Sequence, residues 1–189
     1  MHTIQPKQWH KRLLTITAAT ALLLNSGVAN AADSVLDKRV MATLAHCQQL
    51  SDSCAATTQD AVGILIFPKV IKADLIIGGA GGKGALIENG KITGYYNIGA
   101  GSAGLQAGID SASQVYVFRS HQALAKLKEG QDWKVGADAG VTLVTADANT
   151  AAATGDVLAY VFKSKGLNAG IALDVFDVWK AGRERPSES

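Results

Sequence analysis

The sequence predicts an α+β domain built on a mainly antiparallel, strongly curved, glycine-rich sheet, barrel-like or sandwich, with an N-terminal helix and one or two short helices. Three observations predict it. Strand-like runs follow one another through short turns, without the regular strand-helix alternation of a parallel sheet. Glycines crowd the stretch from Phe67 to Gly108 between apolar residues, and repeated glycine in strands marks bulges, curvature or close approach. Helical periodicity is confined to the region before Leu50 and to a short segment after Ser120.

The 189 residues, 48% hydrophobic and 18% charged, suit one globular domain rather than a disordered chain. Residues 1–31 read as a secretory signal peptide. Lys7, Lys11 and Arg12 form a basic start, Leu13 to Leu24 an apolar run, and Ala29-Asn30-Ala31 a small-x-small cleavage pattern. The run is shorter than the roughly 20 residues a membrane span needs. The expected mature chain therefore begins at Ala32, forms a single domain over 32–181, ends in a flexible tail over 182–189 and resides in the periplasm. Without the three basic residues of the leader, 15 basic side chains face 16 acidic ones, a formal charge of −1. General nucleic-acid binding loses its electrostatic basis.

Taking the elements in order, Ser34 followed by Asp37 resembles a capping box, and Leu36, Val40, Leu44 and Cys47 recur at helical spacing, so a helix is expected over about 35–50. In one continuous helix Cys47 and Cys54 would lie about 10 Å apart, too far for a bridge. Ser51-Asp52-Ser53 between them is turn-forming, and a disulfide loop is expected; two thiols and one nearby histidine, His46, make zinc the weaker reading. Val62 to Phe67 reads as a strand ended by Pro68, and Asp74 to Gly78 as a second. Gly84 to Glu88 and Lys91 to Asn97 flank Asn89-Gly90, a two-residue link suited to a type I′ turn. Leu105 to Ile109 alternates, and Gln114 to Phe118 is a strand apolar on both faces.

Ser120 caps a short helix through Gln122, Leu124 and Leu127 that stops at Gly130. Trp133 and Val135 lead into a strand over 137–145. Asp147 to Gly155 reads as a loop, and Val157 to Phe162 turns through Lys163-Ser164-Lys165-Gly166 into a hairpin with Leu167 to Leu173.

The glycine motifs do not meet their usual chemical contexts. Gly99-Ala-Gly101-Ser-Ala-Gly104 matches G-x-G-x-x-G but leads into a strand-like pattern rather than a helix, and no βαβ unit surrounds it. Gly78 to Gly84 has one residue too few for a phosphate loop and lacks the Ser or Thr that would hold magnesium. A looser anion nest at Lys83 remains open beside the reading of a bent strand. His46 and His121 have no nucleophile or metal ligands nearby in sequence, and Ser102 is not in a nucleophile elbow. No catalytic residue, metal or cofactor is assigned.

Phe67-Pro68-Lys69-Val70 with Lys72, Gly78-Gly79, Gly81-Gly82-Lys83-Gly84, Gly101 through Gly108, and Ser164-Lys165-Gly166-Leu167 with Ala169-Gly170 occur in the order seen in SYLF domains. From Val35 to Leu173 the chain resembles this family, also called the Las17-binding or actin-regulator family. The resemblance implies a lipid-binding module, since eukaryotic relatives bind phosphoinositide membranes and some bind actin filaments. An exported bacterial member would meet neither actin nor phosphoinositides in its compartment.

The expected function is a periplasmic, non-enzymatic module that binds an anionic phospholipid or membrane surface. Lys69, Lys72, Lys83, Lys163 and Lys165 are the candidate headgroup contacts, because four of the five flank glycine- or proline-marked turns, where a lysine can reach phosphate while its stem lies on apolar surface. The alternative is a structural or protein-binding factor of the cell envelope without lipid affinity. Third comes a hydrolase-type enzyme whose site assembles only in three dimensions.

Overall fold

The computed structural model describes residues 17–73, 79–100, 110–129, 133–135, 140–144, 154–163, 166–167 and 176–182. The chain divides into two units, Met1–Val35 and Leu36–Ser189. Of the first, the described part is helix. The fold below is that of the second.

Helix α1 spans Thr17–Leu50. Ser34 therefore lies inside a helix rather than at its start, and the local capping signal is overridden by helical residues before it. The chain breaks at Ser51, as its turn-forming neighbours suggest, but the break opens a further helix that the sequence reading lacked. This helix, α2, spans Asp52–Gln59, with Ser51 as its N-cap accepting from the Cys54 amide. Folding back at Ser51 brings the Cα atoms of Cys47 and Cys54 to 6.0 Å, and the expected disulfide closes between them.

Strand β1 runs Gly63–Ala73, straight through Pro68. Proline does not end it because the pairing to both neighbours shifts by one residue there, between Ile66 and Lys69 on one side and between Phe67 and Val70 on the other. A bulge tolerates a residue that has no amide hydrogen to donate. β2 (Gly79–Glu88) and β3 (Lys91–Ala100) form the expected hairpin. Asn89 and Gly90 take φ of 50° and 73°, the two positive values a type I′ turn requires. β4 spans Asp110–Phe118, and its residues from Gln114 to Phe118 are buried on both faces as expected. Ser120 caps helix α3, His121–Lys128, by accepting from the Ala123 amide.

The remaining strands are β5 (Trp133–Val135), β6 (Val141–Val144), β7 (Val157–Lys163), β8 (Gly166–Leu167) and β9 (Phe176–Lys180). β9 is absent from the sequence reading, which placed only a domain end there. The expected strands over 74–78 and 105–109, most of the expected loop over 147–155, and residues 183–189 of the tail lie outside the described residues.

The sheet order is β5-β9-β3-β2-β1-β4-β7-β6, with β8 pairing β7 beyond the end of β6. Every pairing is antiparallel except β6 with β7. The sheet is strongly curved and nearly closes into a barrel. Trp133 makes the curvature concrete. It belongs to the first strand of that order, yet its ring lies 5.5 Å from Tyr116 and 5.4 Å from Phe118 on β4, the sixth.

Alternation along each strand divides the core in two. On one face Leu65, Phe67, Val70, Leu86, Tyr96, Ile98, Tyr116, Phe118, Phe176 and Val178 pack together with Trp133 and, from α3, Leu124 and Leu127. On the other face Ile64, Ile66, Ala85, Ile87, Val115, Val117, Leu158, Tyr160 and Phe162 are covered by Val40 and the disulfide of the α1–α2 hairpin. The Tyr160 hydroxyl lies 2.9 Å from both Ser53 Oγ and Thr57 Oγ1, which ties α2 to β7. Tyr95 donates to Asp37 at 3.0 Å and ties α1 to β3.

Candidate functional site

The bulge at Pro68 decides where the lysines of β1 point. Strand residues alternate between faces, so a regular strand with Ile66 on the helix-covered face would send Lys69 toward the opposite core. The extra residue restores Val70 to that core, where it is buried, and turns Lys69 outward. In the shifted register Lys69 stands directly opposite Lys83 of β2. Both are exposed.

The row continues across the sheet. Lys83 pairs with Asn97 of β3, and Asn97 with Trp179 of β9, both half-buried. Like charges directly opposite one another weaken a strand pair by several tenths of a kcal/mol, up to about 1. The pair is therefore a place where an anion would relieve repulsion.

The glycines around Lys83 are there for backbone approach. A Cβ on Gly82 would lie 2.6 Å from the Lys69 carbonyl oxygen, and one on Gly84 would lie 2.2 Å from the Ile66 oxygen and 2.5 Å from the Phe67 ring. Only hydrogen fits at either position while β1 bulges against β2. Gly79 to Gly84 belong to strand β2, so among the two readings of this cluster the bent strand describes its backbone. Gly101 and Gly104, the other glycines singled out in sequence, lie outside the described residues.

The remaining candidates have other places in the chain. Lys72 follows in β1, opposite Ala80. Lys163 closes β7, two strands from β1, and succeeds Phe162 of the helix-covered core, so alternation directs it to the other face of the sheet. Lys165 lies outside the described residues. The sequence offered no direct signal for the opposition of Lys69 and Lys83, because it depends on a one-residue shift; Pro68 inside an apolar run was the only local trace of that shift.

Two other polar features are structural in geometry. Glu88, at the β2–β3 turn, accepts from Thr93 and from Lys128 of α3, the latter at 3.0 Å. The Thr93 hydrogen bond, with smaller help from Lys128 and against some burial, holds its carboxyl below the usual carboxylate range. The Tyr116 phenol is buried and donates to Gln114, and burial raises its pKa well above the ordinary value. His46 lies edge-on to Phe162 with ring centroids 5.4 Å apart, and His121 is exposed at the start of α3. Among the described residues, no three His, Cys, Asp or Glu side chains gather where they could hold a metal ion. Among the same residues, no helix is long and apolar enough to cross a membrane.

The family model described as Ysc84, Las17-binding protein actin regulator, matches residues 99–183. The match covers 85 of the 189 residues. Ysc84 is the family, also called SYLF, that the ordered glycine and lysine motifs resemble. The Ysc84 region takes in β4 to β9 with α3, and includes Lys163 and Lys165. The Lys69–Lys83 pair precedes it on β1 and β2 and is joined to it through Asn97 and Trp179. Ysc84 is a family of binding modules rather than of enzymes. No curated protein matches the chain.

Proposed function

We propose that the protein is a non-enzymatic module of the periplasm that binds an anionic lipid surface through Lys69 and Lys83. The observation that carries this reading is the pairing of two exposed lysines in register on adjacent strands. Their ammonium groups are free of any requirement to fill a core, and each brings about 1 kcal/mol of attraction near an anionic membrane. The family description adds support for a binding role. An exported chain meets neither actin nor its cytosolic regulators, so binding carries over while the actin partner does not.

Vesicle flotation tests the proposal. The exported protein should float with phosphatidylglycerol-containing vesicles and stay behind with phosphatidylcholine alone. Lys83→Glu, which leaves an exposed position exposed, should abolish the difference without lowering the melting temperature. Equal recovery from both vesicle types would remove the lipid reading. Capture of an envelope protein by a chain with no vesicle affinity would favour the structural or protein-binding alternative.

A further inference from the structure

Two residues beyond Lys69 on the same face of β1 stands Ile71, which is 39% exposed. A solvent-facing position of an antiparallel sheet is ordinarily polar. Its cross-strand partner on β2 is Gly81, which has no side chain to cover it, and its partner on β4 is Ser111, which is exposed. The ladders on both sides fix the Ile71 backbone, so the apolar side chain projects from a rigid support beside the two lysines. Among the described residues of this unit, the other large exposed apolar ones, Met41 and Leu50, are nine residues apart on α1, which places them on opposite sides of the helix. They do not form a patch.

We propose that Ile71 is a shallow membrane anchor, dipping into the acyl boundary of an anionic bilayer while Lys69 and Lys83 engage its phosphates. The proposal rests on the lipid-surface reading and assigns the depth and the apolar contact. The occupant follows from charge: the row next to Ile71 on its face holds two cations, Lys69 two residues before it and Lys83 diagonal to it on β2. Among the described residues, the nearest carboxylate along its own row is Asp177 of β9, separated from it by Gly81 and Gly99. Three strand spacings amount to about 14 Å, beyond the screening length of about 8 Å at physiological salt. An apolar side chain next to a pair of lysines matches an interface that is apolar below and anionic above.

The test uses the exported protein with vesicles of phosphatidylglycerol and phosphatidylcholine. Ile71→Ser should weaken partitioning about fivefold, the scale expected for losing part of one buried aliphatic side chain, with no change in melting temperature. Ile71→Trp should bind at least as well as the parent, and its added fluorescence should be quenched by lipids brominated near the top of the acyl chains. If the parent floats while Ile71→Ser partitions like it and Ile71→Trp is not quenched, the anchor is overturned and the headgroup reading stands. If the parent does not float, both fall together.

Discussion

At the scale of single residues, the glycines of β2 separate into those that the backbone requires and those it does not. Gly84→Ala would push a methyl group into the Ile66 carbonyl and the Phe67 ring, and Gly82→Ala into the Lys69 carbonyl. Each should destabilise the domain by about 1–3 kcal/mol, the usual cost of overpacking. Gly81→Ala is the internal control, since its Cβ would meet the Ile98 oxygen at an ordinary 3.6 Å. Thermal melts of the three variants should therefore show two large losses and one small change. Glu88 makes a separate prediction. Its folded pKa is depressed, so its contribution is present above the ordinary carboxylate value of about 4.3 and is lost as pH falls through the lower folded value. The Lys128 side chain is half exposed, which limits the ion pair to well under about 1 kcal/mol. Chemical denaturation from pH 6 to pH 3 should show a steeper loss for the parent than for Glu88→Gln.

Among the elements, the α1–α2 hairpin depends on two small features. The disulfide sits fully buried against the sheet, and the Tyr160 hydroxyl meets Ser53 and Thr57 where α2 crosses β7. Tyr160→Phe should cost about 1–2 kcal/mol by taking the phenol away from the buried Ser53 hydroxyl, while Thr57 keeps its bond to the Ser53 carbonyl. Replacing Cys47 and Cys54 by serine should cost about 2–4 kcal/mol in urea unfolding. Two thiols open to alkylation in the native protein would contradict the bridge.

These elements also show why parts of the fold were legible. The turn at Asn89-Gly90 and the cap at Ser120 were readable because each is decided by the chemistry of two or three adjacent residues. The disulfide was readable from the turn-forming Ser51-Asp52-Ser53, yet α2 itself, eight residues of small and polar side chains, carries little apolar periodicity. β9 was missed because a five-residue strand beside the chain end owes its place to partners on β3 and β5, which are remote in sequence. The lysine pair was half legible. The residues were named, but their opposition is set by the bulge, and a register shift is a property of two strands together.

At the scale of the whole molecule, the sheet depends on its last strand. Phe176 and Val178 are buried, and β9 supplies the partner of both β3 and β5. A chain ending at Leu173 would leave the β3 edge open and β5 without a neighbour in the sheet. It should show no cooperative thermal transition by circular dichroism, whereas removal of residues 183–189 should leave the transition in place. This arrangement also orders events in time. Synthesis delivers the disulfide hairpin and the β1–β4 ribbon first, and the strand that joins β5 to β3, Phe176–Lys180, follows the other described strands. Closure by distant partners is slow, on the order of milliseconds to seconds for such sheets. Trp133 to Val135 therefore stay without their partner strand until residues 176–180 have been made, and the sheet nears closure only after its other described strands are in place.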